Sequence, residues 1–216
     1  MYKICLLLIL SSLAFSSTAE EVDSGSWATL SRNLPLNETL SANFMFQTRI
    51  DEDFAEIDRY LLRPSVSLKS DSGAVWTVGY DAHFIQSPSS RMEHRTWQQF
   101  GLTHDHNAVA FSYRIRVEER FIEGIDEVAI RPRFLIGLKY PLPTPGWYLK
   151  TSEEIFINLN EVSPAIQTGY DQSRFFVGLG RPLIDGVNME LGYQLQHING
   201  AGADFLNHFL MVGFSF

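Results

Sequence analysis

Cysteine is nearly absent: the 216-residue chain has one, Cys5, close to its start. Beyond that position a disulfide framework, a thiolate metal site and a thiol nucleophile are all excluded. After the first twenty residues there is also no run approaching the roughly 18 uncharged apolar positions of a membrane-crossing helix. A basic surplus is lacking too. Lys and Arg number 17 against 25 Asp and Glu, a formal charge of -8, which offers no footprint for a nucleic acid. Nor does the chain have the composition of a disordered segment, because 45% of it is hydrophobic and only 19% charged. Its length suits one domain.

The opening residues carry the pattern of an export signal. Lys3 supplies the positive start, Ile4 to Phe15 an apolar stretch, and Ser17-Thr18-Ala19 a small-residue cleavage site. Residues 1–19 are therefore expected to be a cleaved signal peptide, and residues 20–216 a single domain. Cys5 leaves with the signal and lies too early to be a lipidated anchor.

Helical periodicity is scarce, whereas alternation with a period of two recurs down the chain. Between Leu40 and Ile50 one face reads Leu40, Ala42, Phe44, Phe46, while the other reads Ser41, Asn43, Met45, Gln47, Arg49. From Val109 to Arg120, Phe111, Tyr113, Ile115 and Val117 alternate with Ser112, Arg114, Arg116 and Glu118. Strands are expected near 26–34, 39–50, 58–69, 75–86, 94–105, 108–120, 128–140, 147–158, 172–183, 188–197 and 205–216. Tight turns such as Asp71-Ser72-Gly73, His106-Asn107 and Asp185-Gly186 alternate with longer polar loops at 51–56, 87–93, 122–127, 160–171 and 199–204. Short turns at one end and long loops at the other match a transmembrane β-barrel.

A soluble barrel of lipocalin type packs apolar residues inward, and an outer-membrane barrel is its inverse. Three features favour the inverse. Most of the expected strands reach or exceed the ~9–11 residues of a tilted span. Trp76, Trp97, Trp147, Tyr60 and Tyr140 fall toward strand ends, where interfacial girdles form. The polar faces are rich in arginine while the long loops are acidic. The last segment adds a fourth argument, since Leu210, Val212, Phe214 and the terminal Phe216 share one face. This resembles the closing-strand signal read by the barrel assembly machinery of Gram-negative bacteria. The fold expected is an all-β, antiparallel, up-and-down transmembrane barrel of about 10–12 strands, with a polar lumen and an apolar exterior facing outer-membrane lipid. Counting back from Phe216, ten strands close the even-number rule for bacterial barrels. The segment 26–34 then either stays outside the wall or implies a twelfth strand.

Several segments, in order, resemble one family. They are the opening Trp27 strand, His94-Arg95-Thr96-Trp97-Gln98-Gln99, Tyr113-Arg114-Ile115-Arg116-Val117-Glu118-Glu119-Arg120, Ile130-Arg131-Pro132-Arg133, Glu153-Glu154-Ile155-Phe156-Ile157-Asn158, Ser173-Arg174-Phe175-Phe176-Val177-Gly178-Leu179-Gly180 and the closing Gly213-Phe214-Ser215-Phe216. Together they are similar to the bacterial outer-membrane barrel family DUF2490. The resemblance implies location and architecture, and it implies neither an activity nor catalytic residues.

Turning the polar faces inward places Arg49, Arg59, Arg63, Asp81, Arg95, Arg114, Arg116, Glu118, Arg120, Arg131, Arg133, Lys150, Glu154, Arg174 and Glu190 in the lumen, with His83 beside Asp81. Two readings follow. In one, interlocked ion pairs fill a narrow barrel that has a structural or interaction role. In the other, the same charges line a small, anion-preferring path for solutes. A remote third is an outer-membrane acyl hydrolase: His197-Ile198-Asn199-Gly200, with Asn207 beyond, faintly resembles the His-x-Ser-Asn pattern of those enzymes. It lacks the serine beside Asn199 that nucleophilic catalysis requires. Asp81 next to His83 is a weak counterpart of an omptin-type protease pair. No enzyme, cofactor or metal site is expected, because the histidines lack ligand spacing. The expected partners are outer-membrane lipids and, during biogenesis, the assembly machinery.

Overall fold

The computed structural model describes residues 21–87, 89–200 and 202–216, so the expected signal peptide lies outside the described residues. Within them the chain forms eleven strands and no helix. In chain order these are β1 (Glu21–Pro35), β2 (Leu40–Asp51), β3 (Glu56–Lys69), β4 (Val75–Ile85), β5 (Arg91–His106), β6 (Val109–Ile122), β7 (Ala129–Pro141), β8 (Tyr148–Asn158), β9 (Gly169–Ile184), β10 (Val187–Ile198) and β11 (Phe205–Ser215). Each strand pairs antiparallel with the next, and β1 pairs with β11 to close the barrel.

That closure corrects the expectation for residues 26–34. They neither stand outside the wall nor call for a twelfth strand. They belong to β1, which begins earlier than expected and joins β11 in parallel, from Glu21 opposite Phe205 to Ser31 opposite Ser215. A sheet edge left open would expose a row of unpaired N–H and C=O groups, and an odd strand count can satisfy them only through one parallel seam. The seam is extended by the last residue, where Phe216 N donates to Ser31 O at 2.9 Å and Asn33 N donates to Phe216 O at 3.2 Å. β1 therefore enters the wall at the rim of the long loops, opposite the end where the chain finishes. There the Asp23 carboxylate accepts the Glu52 and Asp53 amides at 3.2 and 3.1 Å. These bonds hold the β2–β3 loop, whose residues Glu52, Asp53 and Phe54 all have positive φ.

The burial pattern decides which way the faces point. Among the described residues nineteen polar or charged ones are buried, against nine hydrophobic ones, while phenylalanines, leucines, isoleucines and valines from every strand stand exposed outside. A soluble barrel has the opposite ratio. The lumen is polar and the exterior apolar. Tyr60, at the loop end of β3, stacks on Phe46, and Trp76 and Tyr140 sit outside near the turn end. Trp97 departs from the expected girdle. It is 2% exposed inside the lumen, because its indole N–H finds a buried acceptor in Asp81 at 2.7 Å. Glycine makes room for it: a Cβ at Gly79 would lie 2.2 Å from the Trp97 ring.

Candidate functional site: the lumen

Inward-facing residues alternate along each strand, so opposed strands bring charges of both signs together, in like pairs as well as unlike ones. Glu118 on β6 stands opposite Arg131 on β7, and Arg116 stands opposite Arg133. Such cross-strand neighbours are the contact unit of a sheet. Glu118 is fully buried and is the centre of the network. It accepts Arg131 Nη2 at 2.8 Å and also accepts Arg133, while Arg95 and Arg116 approach to 3.6 and 3.8 Å. Four guanidiniums from three strands thus converge on one carboxylate. Arg133 reaches onward to Glu154 at 2.8 Å, which Arg114 also contacts.

Four smaller groups complete the pattern. Glu93 accepts Arg95 Nε at 2.7 Å and Arg120 Nε at 2.6 Å. Asp81, also fully buried, binds Arg63 Nε at 2.7 Å and the Trp97 indole, with His83 Nε2 3.7 Å away. Arg59 pairs with Asp58, and Lys150 binds Glu190 at 2.7 Å toward the turn end. Aromatic rings fill the gaps between the ions. Phe156 lies under Arg133 and Arg174 at 4.4 and 4.6 Å, and Trp97 lies under Arg116 at 3.9 Å.

Each lumenal residue expected from the sequence faces inward, but the carboxylates Asp58, Glu93 and Asp171 were not among them. Glu93 read as loop because β5 begins at Arg91, earlier than its apolar alternation suggests. Its parity with Arg95 was the available signal. Asp58 and Asp171 lie beside register shifts at Arg49/Ile50 and Phe156/Ile157. A bulge breaks strict alternation, so no parity rule assigns their side chains.

The network divides the lumen. A chamber of about 340 Å³ at the loop end is lined by Trp27, Arg49, Arg59, Arg95, Arg174 and their neighbours, under a partial roof from Ser163, Ala165 and Ile166. A second, of about 510 Å³, opens at the turn end among Asn33, Asn43, Ser65, Ser67, Thr77 and Gln99. The two share no lining residue. Glu118, Arg133 and Phe156 occupy the level between them.

The residues of the faint hydrolase pattern separate onto two faces. His197 points outward at the rim, where Tyr170 Oη lies 2.9 Å from Nδ1 and Asp204 3.1 Å from Nε2. Asn199 Nδ2 donates to the Tyr170 carbonyl at 2.9 Å, whereas Asn207 lines the inner chamber. Asp81 and His83 are buried inside the lumen, whereas the omptin comparison would need them at the exposed outer rim. Among the described residues no group of three or more His, Cys, Asp or Glu is placed to hold a metal.

The family described as a protein of unknown function, DUF2490, matches residues 24–207. An uncharacterised protein of Methylorubrum extorquens is 28% identical over 179 residues, covering 77% of this chain and 75% of its own length.

Proposed function

The chain belongs to the DUF2490 family, and from that premise we propose that it is a bacterial outer-membrane β-barrel with a non-catalytic, structural or interaction role and a lumen closed by its ion-pair network. Glu118 carries the reading. A carboxylate with no exposed surface, held by Arg131 and Arg133 with Arg95 and Arg116 close by, leaves little free bore at its level. Taking such charges out of water costs several kcal/mol per ion, which only near-complete mutual pairing offsets. A barrel of eleven strands lies between filled eight-stranded walls and the open 16–18-stranded porins, so side chains of arginine length can span it.

Membrane insertion is supported by the apolar exterior and by strands of 11–16 residues, beyond the ~9–11 that a tilted span needs. Outer-membrane lipids are the partner of this belt. Leu210, Val212, Phe214 and Phe216 share the outward face of the closing segment, where the barrel assembly machinery would read them during biogenesis. A second reading has one observation behind it: the loop-end chamber carries more arginines than carboxylates, which suits a narrow anion path.

The experiment is fractionation of the expressing cells followed by single-channel recording of the purified barrel in planar bilayers. Recovery in the outer membrane with a silent, correctly folded protein is expected. Discrete conductance steps with anion preference would replace the closed barrel by the pore, and recovery in the soluble periplasm would reject both.

A further inference from the structure

Two lumenal arginines behind the rim form no salt bridge with the protein. Eight others, from Arg59 to Arg133, each have a carboxylate within salt-bridge distance. Among the described residues of the loop-end chamber Arg49, Arg174 and the exposed rim residue Arg91 have none at that distance, although Glu154 stands opposite Arg174 in register. Arg49 is only 8% exposed and donates Nε to a neutral acceptor, Gln47 Oε1, at 2.8 Å. Its two terminal nitrogens are left facing the loop-end chamber. Arg174 Nε is buried and has no hydrogen-bond partner. The two guanidiniums lie against the same indole, that of Trp27, at 3.7 and 4.9 Å from its centroid. Cation–π contact softens the cost of burying a cation but does not neutralise it, and two like charges beside one ring repel.

From this arrangement we infer that the loop-end chamber is a binding site for a small phosphate-bearing solute, held by Arg49 and Arg174 over Trp27. The chamber lining carries seven arginines and four carboxylates, a surplus of 7 − 4 = 3 positive charges. A phosphate monoester brings about −1.5 to −2 at neutral pH, and the planar guanidinium donates to phosphate through two parallel N–H bonds. Gln172, Gln196 and Asn207 add neutral amides around the same space. About 340 Å³ admits a small solute, at the lower end of ligand pockets. A lipid headgroup is a poor occupant, since the chamber opens inside the wall and its acyl chains would have to stay outside. The site needs no conduction and is independent of whether the barrel conducts.

The test is calorimetric titration of the full detergent-solubilised barrel with inorganic phosphate in a phosphate-free buffer, with tryptophan emission followed in parallel. Saturable binding, with an emission change from Trp27, is expected. Arg49→Gln and Arg174→Gln should each weaken binding roughly tenfold or more, as loss of a charge-assisted hydrogen bond implies. Arg49→Lys, which keeps the charge but not the fork, should fall between. Arg32→Gln, exposed toward the turn end of β1, should leave binding unchanged. Should the arginine variants fail to fold, the wild-type melting temperature decides. Phosphate should raise it saturably, and chloride at equal ionic strength should not. The inference is overturned if phosphate shows no saturable binding, if chloride reproduces its effect, or if folded Arg49 and Arg174 variants bind as the wild type does.

Discussion

Replacing Glu118 with glutamine keeps the shape of the side chain and removes its charge. The wild-type carboxylate accepts Arg131 at 2.8 Å and also Arg133, with Arg95 at 3.6 Å and Arg116 at 3.8 Å. The amide keeps one acceptor oxygen but turns N–H donors toward guanidiniums that are themselves only donors. No cavity forms, so the whole effect is electrostatic and hydrogen-bonding. Breaking a buried pair by removing one partner costs about 3–5 kcal/mol. Glu118→Gln should therefore lose about that much, measured as the urea midpoint of the barrel in lipid vesicles by tryptophan emission. The double variant Glu118→Gln/Arg133→Gln removes one charge of each sign while leaving Arg114 on Glu154. It should be more stable than the sum of the two single losses predicts, by about 0.5–3 kcal/mol of coupling. A loss below about 1 kcal/mol for the single variant, the range of exposed ion pairs, would refute the reasoning. It would mean that water screens the network and that the lumen is wet rather than filled.

Three other outcomes follow from named contacts. Tyr113→Arg puts a charge on the apolar exterior and should cost about 2–4 kcal/mol if the site lies at mid-bilayer, more than Arg114→Tyr costs; vesicle unfolding of both checks this, and tolerance of Ile115→Arg would show that the face does not meet lipid. Parallel closure puts the start of β1 with the long loops, so an impermeant maleimide on intact cells should label Val22→Cys and Glu161→Cys together and leave Ser72→Cys in the β3–β4 turn unlabelled. Labelling of Val22→Cys with Ser72→Cys instead would dismantle the seam. Gly79→Ala forces its methyl against the Trp97 ring and should destabilise by about 1–3 kcal/mol, with altered tryptophan emission as Trp97 leaves Asp81; an unperturbed spectrum would place the ring elsewhere.

How much of this was legible beforehand depended on the range of the interaction concerned. Period-two alternation is local. Neighbouring side chains on a strand point to opposite faces, so Tyr113 against Arg114 already separated outside from inside. The inward direction of the arginines and the turn-and-loop order followed from the same rule. The rule failed where a bulge interrupts it, at Asp58 and Asp171, and where a polar partner outweighs a preference of residue type. Trp97 looked like an interfacial residue because tryptophan favours interfaces, yet Asp81, sixteen residues away, holds its indole inside.

The strands and their two faces follow from contacts within a few residues, and strand length with the arginine-rich polar faces pointed to a polar interior. Closure and the balance of charge come from residues far apart in the chain. Whether β1 lies in the wall depends on the edge of β11, nearly the whole chain away, and no local pattern records whether a free edge is met in parallel or antiparallel. Which arginines find carboxylates depends in the same way on strands brought together around the barrel. That is why Arg95 and Arg174, alike in an alternating strand, end respectively in a salt bridge with Glu93 and over Trp27, with Glu154 opposite in register but not in a salt bridge with it.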